Sequence, residues 1–128
     1  MSTDNKQFVT DFCNSLTSGD MSRVVSYLSE DVFYHNMPWA PVNGHAGVHE
    51  VLDPFVNANL LEKMEIKHTS SSGNVVTNER LETWVKGDVR VLLPVLGVFT
   101  LTNGKITKWC DYFDSGTIAP LMEALQQS

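Results

Sequence analysis

The chain has 128 residues, with 9 Lys and Arg against 15 Asp and Glu, a formal charge of −6 with the histidines neutral. That length suits one compact domain over residues 1–128 that buries roughly two thirds of the surface its unfolded form exposes, and the 42% hydrophobic content is ordinary for a folded protein. The acidic balance and the absence of a Lys or Arg cluster exclude the electrostatic footprint of nucleic-acid or anionic-membrane binding, and no apolar run nears the roughly 18 residues that cross a bilayer.

The first eight residues, MSTDNKQF, carry neither a basic nor an apolar leader segment, so a cytoplasmic location is expected. Phe8, Val9, Phe12, Cys13 and Leu16 recur at helical spacing, with Gly19 as the expected C-cap. Asp20 is the expected N-cap of a shorter helix bearing Val24, Val25 and Leu28. Val32 to Asn36 reads as a short strand, and Met37 to Pro41, with its two prolines, as loop. Val48, Val51, Leu52, Phe55 and Val56 form the apolar face of a third helix, which Pro54 should kink or shorten.

The rest is mostly strand. Met64, Ile66 and His68 alternate with polar residues; Val75 to Val85, Val89 to Leu101 and Lys105 to Phe113 are β-rich. Asn103-Gly104 is a tight hairpin turn, and Pro94 and Gly97 predict a bulge or bend. Ile118, Leu121, Met122 and Leu125 mark a closing helix. Helices followed by a meander of strands indicate an α+β protein in which helices cover the concave face of a strongly curved sheet and enclose a pocket.

Strand side chains alternate faces, so residues two apart look the same way. Tyr34 and Asn36 therefore share a face; so do Asn78, Arg80, Glu82 and Trp84, and so do Thr107, Trp109, Asp111 and Phe113. Asp111, flanked by two aromatics, requires a partner if buried. Arg80 is the candidate, with Glu82 on its other side, because a guanidinium can hold two carboxylates at once. Two acids on one Arg invite a shared proton, one acid donating while the other accepts. A solvent-exposed Arg–Glu cross-strand pair satisfies the same alternation, and alternation alone leaves both readings open.

His45 and His49 are spaced i, i+4, but the order is not HExxH and no third ligand accompanies them, so no metal is expected. There is no phosphate-binding GxxxxGK loop and no GxSxG nucleophile elbow. Cys13 and Cys110 match no disulfide or CxxC pattern and read as free buried thiols.

At VFYHNMP (Val32 to Pro38), TNERLE (Thr77 to Glu82), LPVLGVFTL (Leu93 to Leu101) and NGKITKWCDYFD (Asn103 to Asp114), the sequence resembles the limonene-1,2-epoxide hydrolase family of the NTF2-like superfamily. The resemblance covers nearly the whole chain. It implies a cone-shaped fold, a curved mixed sheet with three to four helices over its concave face, and one-step hydrolysis of an epoxide to a vicinal diol, without covalent intermediate, cofactor or metal. It further implies that Asp111 is the general base, that Tyr34 and Asn36 hold the attacking water with it, that Arg80 bridges the two acids, and that Glu82 is the general acid. The family usually carries Asp where this chain has Glu82, which lengthens the proton donor by one methylene, and often Arg where it has Cys110. Partners implied are a small hydrophobic epoxide, water and a second copy of the chain.

Candidate walls for such a pocket are Met37, Trp39, Leu81, Leu93, Leu96, Trp109 and Phe113. Two other readings suit the same fold: a ketosteroid-isomerase-like or SnoaL-like cyclase, which the Arg80 bridge argues against, and a non-catalytic module that binds a small ligand or dimerises.

Overall fold

A computed structural model describes residues 4–127, so the start of the MSTDNKQF segment lies outside the described residues. Within them the chain forms four helices and a six-stranded sheet, α1 (Asn5–Ser15), α2 (Met21–Val25), β1 (Leu28–Asn36), β2 (Val42–Asn43), α3 (Gly44–Val56), β3 (Leu61–Ser72), β4 (Val75–Lys86), β5 (Val89–Thr102), β6 (Lys105–Tyr112) and α4 (Ser115–Gln126).

Carboxylates start three of the helices. Asp4 accepts from the Lys6 and Gln7 amides, Asp20 from Ser22 and Arg23, and Asp114 from Gly116, each satisfying amide groups that a helix leaves unpaired. α1 ends at Ser15, and a run of turns leads to Gly19, whose φ of +73° lies in the left-handed region. Gly19 therefore serves the turn into α2 and is not the immediate cap of α1. Leu28, expected on the second helix, instead opens β1, because α2 ends at Val25 and the chain turns through Ser26 and Tyr27 to pair with Ile106. α3 runs to Val56 with Pro54 inside it and buries Val48, Leu52 and Val56.

The sheet order is β2-β1-β6-β5-β4-β3, antiparallel throughout except where β1 lies parallel to β6. Asn103 and Gly104, at φ +53° and +79°, make the tight turn between β5 and β6. The β4–β5 ladder is continuous from Val75↔Thr100 to Lys86↔Val89, so the bulge expected at Pro94 and Gly97 is absent. Pro94 lies beyond the last β5–β6 pair, Leu96↔Tyr112, where β5 has a neighbour on one side only and a residue without an N–H is tolerated. Register shifts fall instead in β1, β3 and between Thr100 and Leu101. The shift between Ile66 and His68 turns His68 to the outer face opposite Glu79, off the face it was expected to share with Met64 and Ile66.

The inner face carries the core. Phe12 of α1 packs edge-on against Trp109, ring centroids 4.8 Å apart, and Trp109 stacks on Tyr34 at 3.9 Å. Burying a side chain such as Phe12 contributes about 1.5–3 kcal/mol. Here it also fixes the orientation of an indole whose N–H enters the site below.

Candidate active site

Strand register builds the site. Asn36, Asp111, Gly97 and Asn78 form one row across β1, β6, β5 and β4; Tyr34, Trp109, Phe99 and Val76 form the row beside it. Arg80 and Glu82 follow Asn78 along the same face of β4. The alternation thus becomes a cluster: Arg80 is 1% exposed, Glu82 and Asp111 5% each, and the exposed-pair reading fails.

Arg80 joins the cluster. Its Nη2 donates to Asp111 Oδ2 at 2.9 Å and to Glu82 Oε2 at 2.8 Å, and its Nε donates to the same Glu82 oxygen at 3.1 Å. Nη1 donates to Asn78 Oδ1 at 2.9 Å, and the Asn78 amide donates to the Cys13 thiol at 3.5 Å. The two other carboxylate oxygens each accept an indole N–H, Asp111 Oδ1 from Trp109 at 2.9 Å and Glu82 Oε1 from Trp84 at 3.1 Å. Asn36 donates its amide to the Tyr34 hydroxyl at 2.9 Å.

The electrostatics follow from burial. Burial raises the pKa of Glu82; Arg80 pulls it back, and the charge of Asp111 pushes it up again. Burial works against the Arg80 charge, but Asp111 and Glu82 more than offset that and hold the guanidinium firmly protonated. Tyr34 is raised, chiefly by burial and then by Asp111, and burial pushes the Cys13 thiol up to about 11. Both groups therefore stay neutral near neutral pH. A cluster of one cation and two acids can hold one proton on one acid and accept one on the other.

A cavity of about 680 Å³ opens onto these groups. Tyr34, Asn36, Glu82 and Asp111 line it, while Arg80 lies behind the two carboxylates. Of the expected walls, Leu93, Trp109 and Phe113 line it, and Trp39, 41% exposed, stands at its rim, edge-on to Phe113. Leu81 and Leu96 do not: Leu81, between Arg80 and Glu82, and Leu96, 49% exposed and paired with Tyr112, point to the outer face. Met37 is also outside, past the end of β1, with its amide bonded to the Asp111 carbonyl. Most of the remaining apolar wall comes from helices, Val51, Leu52 and Phe55 of α3 and Ile118, Met122 and Leu125 of α4, and Trp84 of β4 and Val95 of β5 join it. Sequence reading recognises those helical faces as apolar without assigning them to the pocket. Trp84, which shares the face of Glu82, reads in the sequence as core or pocket wall and does line the cavity; its indole N–H bond to Glu82 is what alternation leaves unread.

His45 bonds the Leu28 carbonyl and His49 bonds Asp53, so both imidazoles have local roles. Among the described residues, no three His, Cys, Asp or Glu side chains gather as metal ligands would. No helix of the described residues is long and apolar enough to cross a membrane.

The geometry has relatives. Residues 3–124 match the family model of the limonene-1,2-epoxide hydrolase catalytic domain. The chain is 31% identical over 103 residues to epoxide hydrolase EphG of Mycobacterium tuberculosis, covering 80% of this chain and 68% of that protein. The solved structure of an M. tuberculosis LEH-like epoxide hydrolase superposes with a TM-score of 0.74 at 26% identity, covering 97% of this chain and 96% of that one. At 14% identity, a SnoaL-like protein of Shewanella putrefaciens shares the fold, with a TM-score of 0.76 over 96% of this chain and 88% of its own. With a curved mixed sheet under helices, and a match along almost its whole length, the chain belongs to the limonene-1,2-epoxide hydrolase family.

Proposed function

We propose that this protein adds water to a hydrophobic epoxide to give a vicinal diol, in one step and through its own side chains. The observation that carries this reading is the buried Arg80 held between Glu82 and Asp111 at the floor of an apolar cavity. Asp111 is the base. Tyr34 keeps its own proton to donate to the water, because Asn36 donates to its oxygen, and the Asn36 carbonyl oxygen and Asp111 accept the two water protons. One lone pair is then left for attack on a ring carbon.

As the new C–O bond forms, the ring C–O bond breaks and its oxygen takes the proton of Glu82. Asp111 receives the proton of the water. One acid is neutral and one ionised both before and after, so the buried cluster keeps its net charge, and no charge must be moved into a dry site during the step. Ring strain supplies the driving force, and the protein supplies position and exclusion of water.

We also propose that the chain works as a homodimer. Support comes from the outer face of the sheet, where Leu92, Leu96 and Tyr112 are 51%, 49% and 44% exposed beside Pro94, an apolar patch a soluble monomer seldom leaves bare. A reducing compartment suits the two free buried cysteines, and we propose the cytoplasm, to be checked by cell fractionation.

The deciding experiment is a single turnover in oxygen-18 water with a panel of cyclic terpene and aryl epoxides. Direct attack puts the label in the diol of the first turnover, and Asp111→Asn forms no diol while keeping the fold. Label-free diol in that turnover would instead make a carboxylate the nucleophile and overturn the mechanism.

A further inference from the structure

The two carboxylates are dressed alike but not equally. Each accepts from Arg80 on one oxygen and from an indole on the other, with Trp109 two residues before Asp111 and Trp84 two residues after Glu82. Glu82 Oε2, however, accepts two N–H groups of Arg80, at 3.1 and 2.8 Å, whereas Asp111 Oδ2 accepts one, at 2.9 Å. A carboxylate oxygen has about two acceptor positions. Both on Oε2 are taken, so a proton on Glu82 belongs on Oε1. Trp84 occupies one position of Oε1, at 3.1 Å, and leaves one for the proton. Glu82 lines the cavity in which such a proton would act.

We propose that Trp84 is the positioning residue of the general acid: its indole N–H selects where on Glu82 the transferable proton sits and aims it at the epoxide oxygen. The inference rests on the reading of Glu82 as proton donor. Trp84 is itself held, edge-on to Phe55 of α3 with centroids 5.5 Å apart and rings 76° from parallel, and is 8% exposed. It is matched to a glutamate. An aspartate at this position would withdraw the carboxyl by one methylene, roughly 1.5 Å, and take it out of reach of the indole. Glu82 and Trp84 thus form a unit in which the longer acid is steadied by a donor that a shorter one could not use.

A purely structural Trp84 predicts something different, since loss of a cavity wall raises KM. The test is a double-mutant cycle with Trp84→Phe, which keeps an aromatic ring against Phe55, and Glu82→Asp. Trp84→Phe in the wild-type background should lower kcat about tenfold or more with KM within about twofold, since general acid catalysis is worth roughly 10²–10⁴ and aim is part of it. In the Glu82→Asp background the same substitution should change kcat by less than about twofold. The lost donor also favoured ionised Glu82, so the alkaline limb of the kcat profile should move to higher pH. Facing Glu82 are Arg80 on β4, Asp111 on β6, Tyr34 on β1 and Cys13 on α1, and Glu50 of α3 shares the cavity; all are unchanged in the variant.

A second readout needs neither substrate nor a Trp84 variant. In ¹H–¹⁵N spectra the Trp84 indole N–H should titrate with Glu82, and Glu82→Gln should abolish that movement. Equal losses of kcat in both backgrounds, a KM effect alone, or an indole that ignores Glu82 would overturn the inference. If the wild type hydrolyses none of the epoxide panel while the indole follows Glu82, the proposed reaction fails and the Trp84–Glu82 unit stands.

Discussion

Gly97 of β5 leaves open the space over which the Arg80 guanidinium crosses from β4 to Asp111 on β6. It is paired with Asn78 on one side and Asp111 on the other, and a Cβ built there would collide with Arg80 Nη1 and the Phe99 ring. β5 separates the two strands that carry the charged groups, so the crossing is possible only where β5 has no side chain. Gly97→Ala should destabilise the fold by about 1–3 kcal/mol and lower kcat on the order of 100-fold, because Arg80 must shift. Urea melts and steady-state rates measure the two effects, and a fully active Gly97→Ala protein would show that Arg80 need not pass there.

Arg80 bridges two acids in a place where an ionised carboxylate could not stand alone. Arg80→Met should cost about 3–5 kcal/mol at pH 8, the penalty of leaving buried charge unpaired. The cost should shrink at acid pH, because protonation relieves unpaired buried charge. Combining Arg80→Met with Glu82→Gln and Asp111→Asn removes all three charges and should recover most of the stability, as guanidinium denaturation at both pH values would reveal.

The raised pKa of Glu82 makes two signed predictions. An acid that holds its proton more tightly folded than unfolded contributes stability that is full below its unfolded pKa. That contribution is lost as pH rises through the higher folded value. For the reaction, the acid stays protonated above the ordinary glutamate range, and its ionisation sets the alkaline limb of kcat. Glu82→Gln should remove that limb and lower kcat roughly 100-fold or more. A pH–rate profile whose alkaline limb survives in Glu82→Gln would assign the acid elsewhere.

The outer face is testable apart from catalysis. Leu96→Lys puts a charge in the middle of the apolar patch and, with its side chain on the outer face, should leave the monomer folded. Sedimentation should give twice 14.3 kDa for the wild type and the monomer mass for the variant. A wild type that sediments as a monomer at tens of micromolar would remove the dimer.

Much of the site is legible in the sequence because β alternation is strict. Arg80, Glu82, Asp111, Tyr34 and Asn36 each fall on the face that alternation assigns them, since a two-residue period needs only strand limits to be right. The same rule argues against two of the expected walls: Leu81 lies between Arg80 and Glu82, and Leu96 is an odd number of residues from Leu93. Apolar character alone recommends them, and apolar residues here also cover the outer face. Met37 lies past the end of β1, where alternation no longer applies. Phe55 and Met122 stand on recognisably apolar helix faces, but a cavity arises from how elements fail to fill the space between them, which no single element records. Gly97 suggests a bulge that the regular ladder lacks, because the reason for a glycine there lies on a neighbouring strand, in the reach of Arg80.

The parallel pairing of β1 with β6 divides the site by folding history. β3 to β6 join through successive hairpins, so Arg80, Glu82 and Asp111 are brought together by near-neighbour contacts. Tyr34 and Asn36 arrive only when the opposite end of the chain closes against β6, a long-range contact of the kind that forms slowly. The half of the site that handles protons can therefore precede the half that orders water. In refolding, the Glu82-linked indole signal should return before turnover does, and the interval between them would time the closure of the sheet.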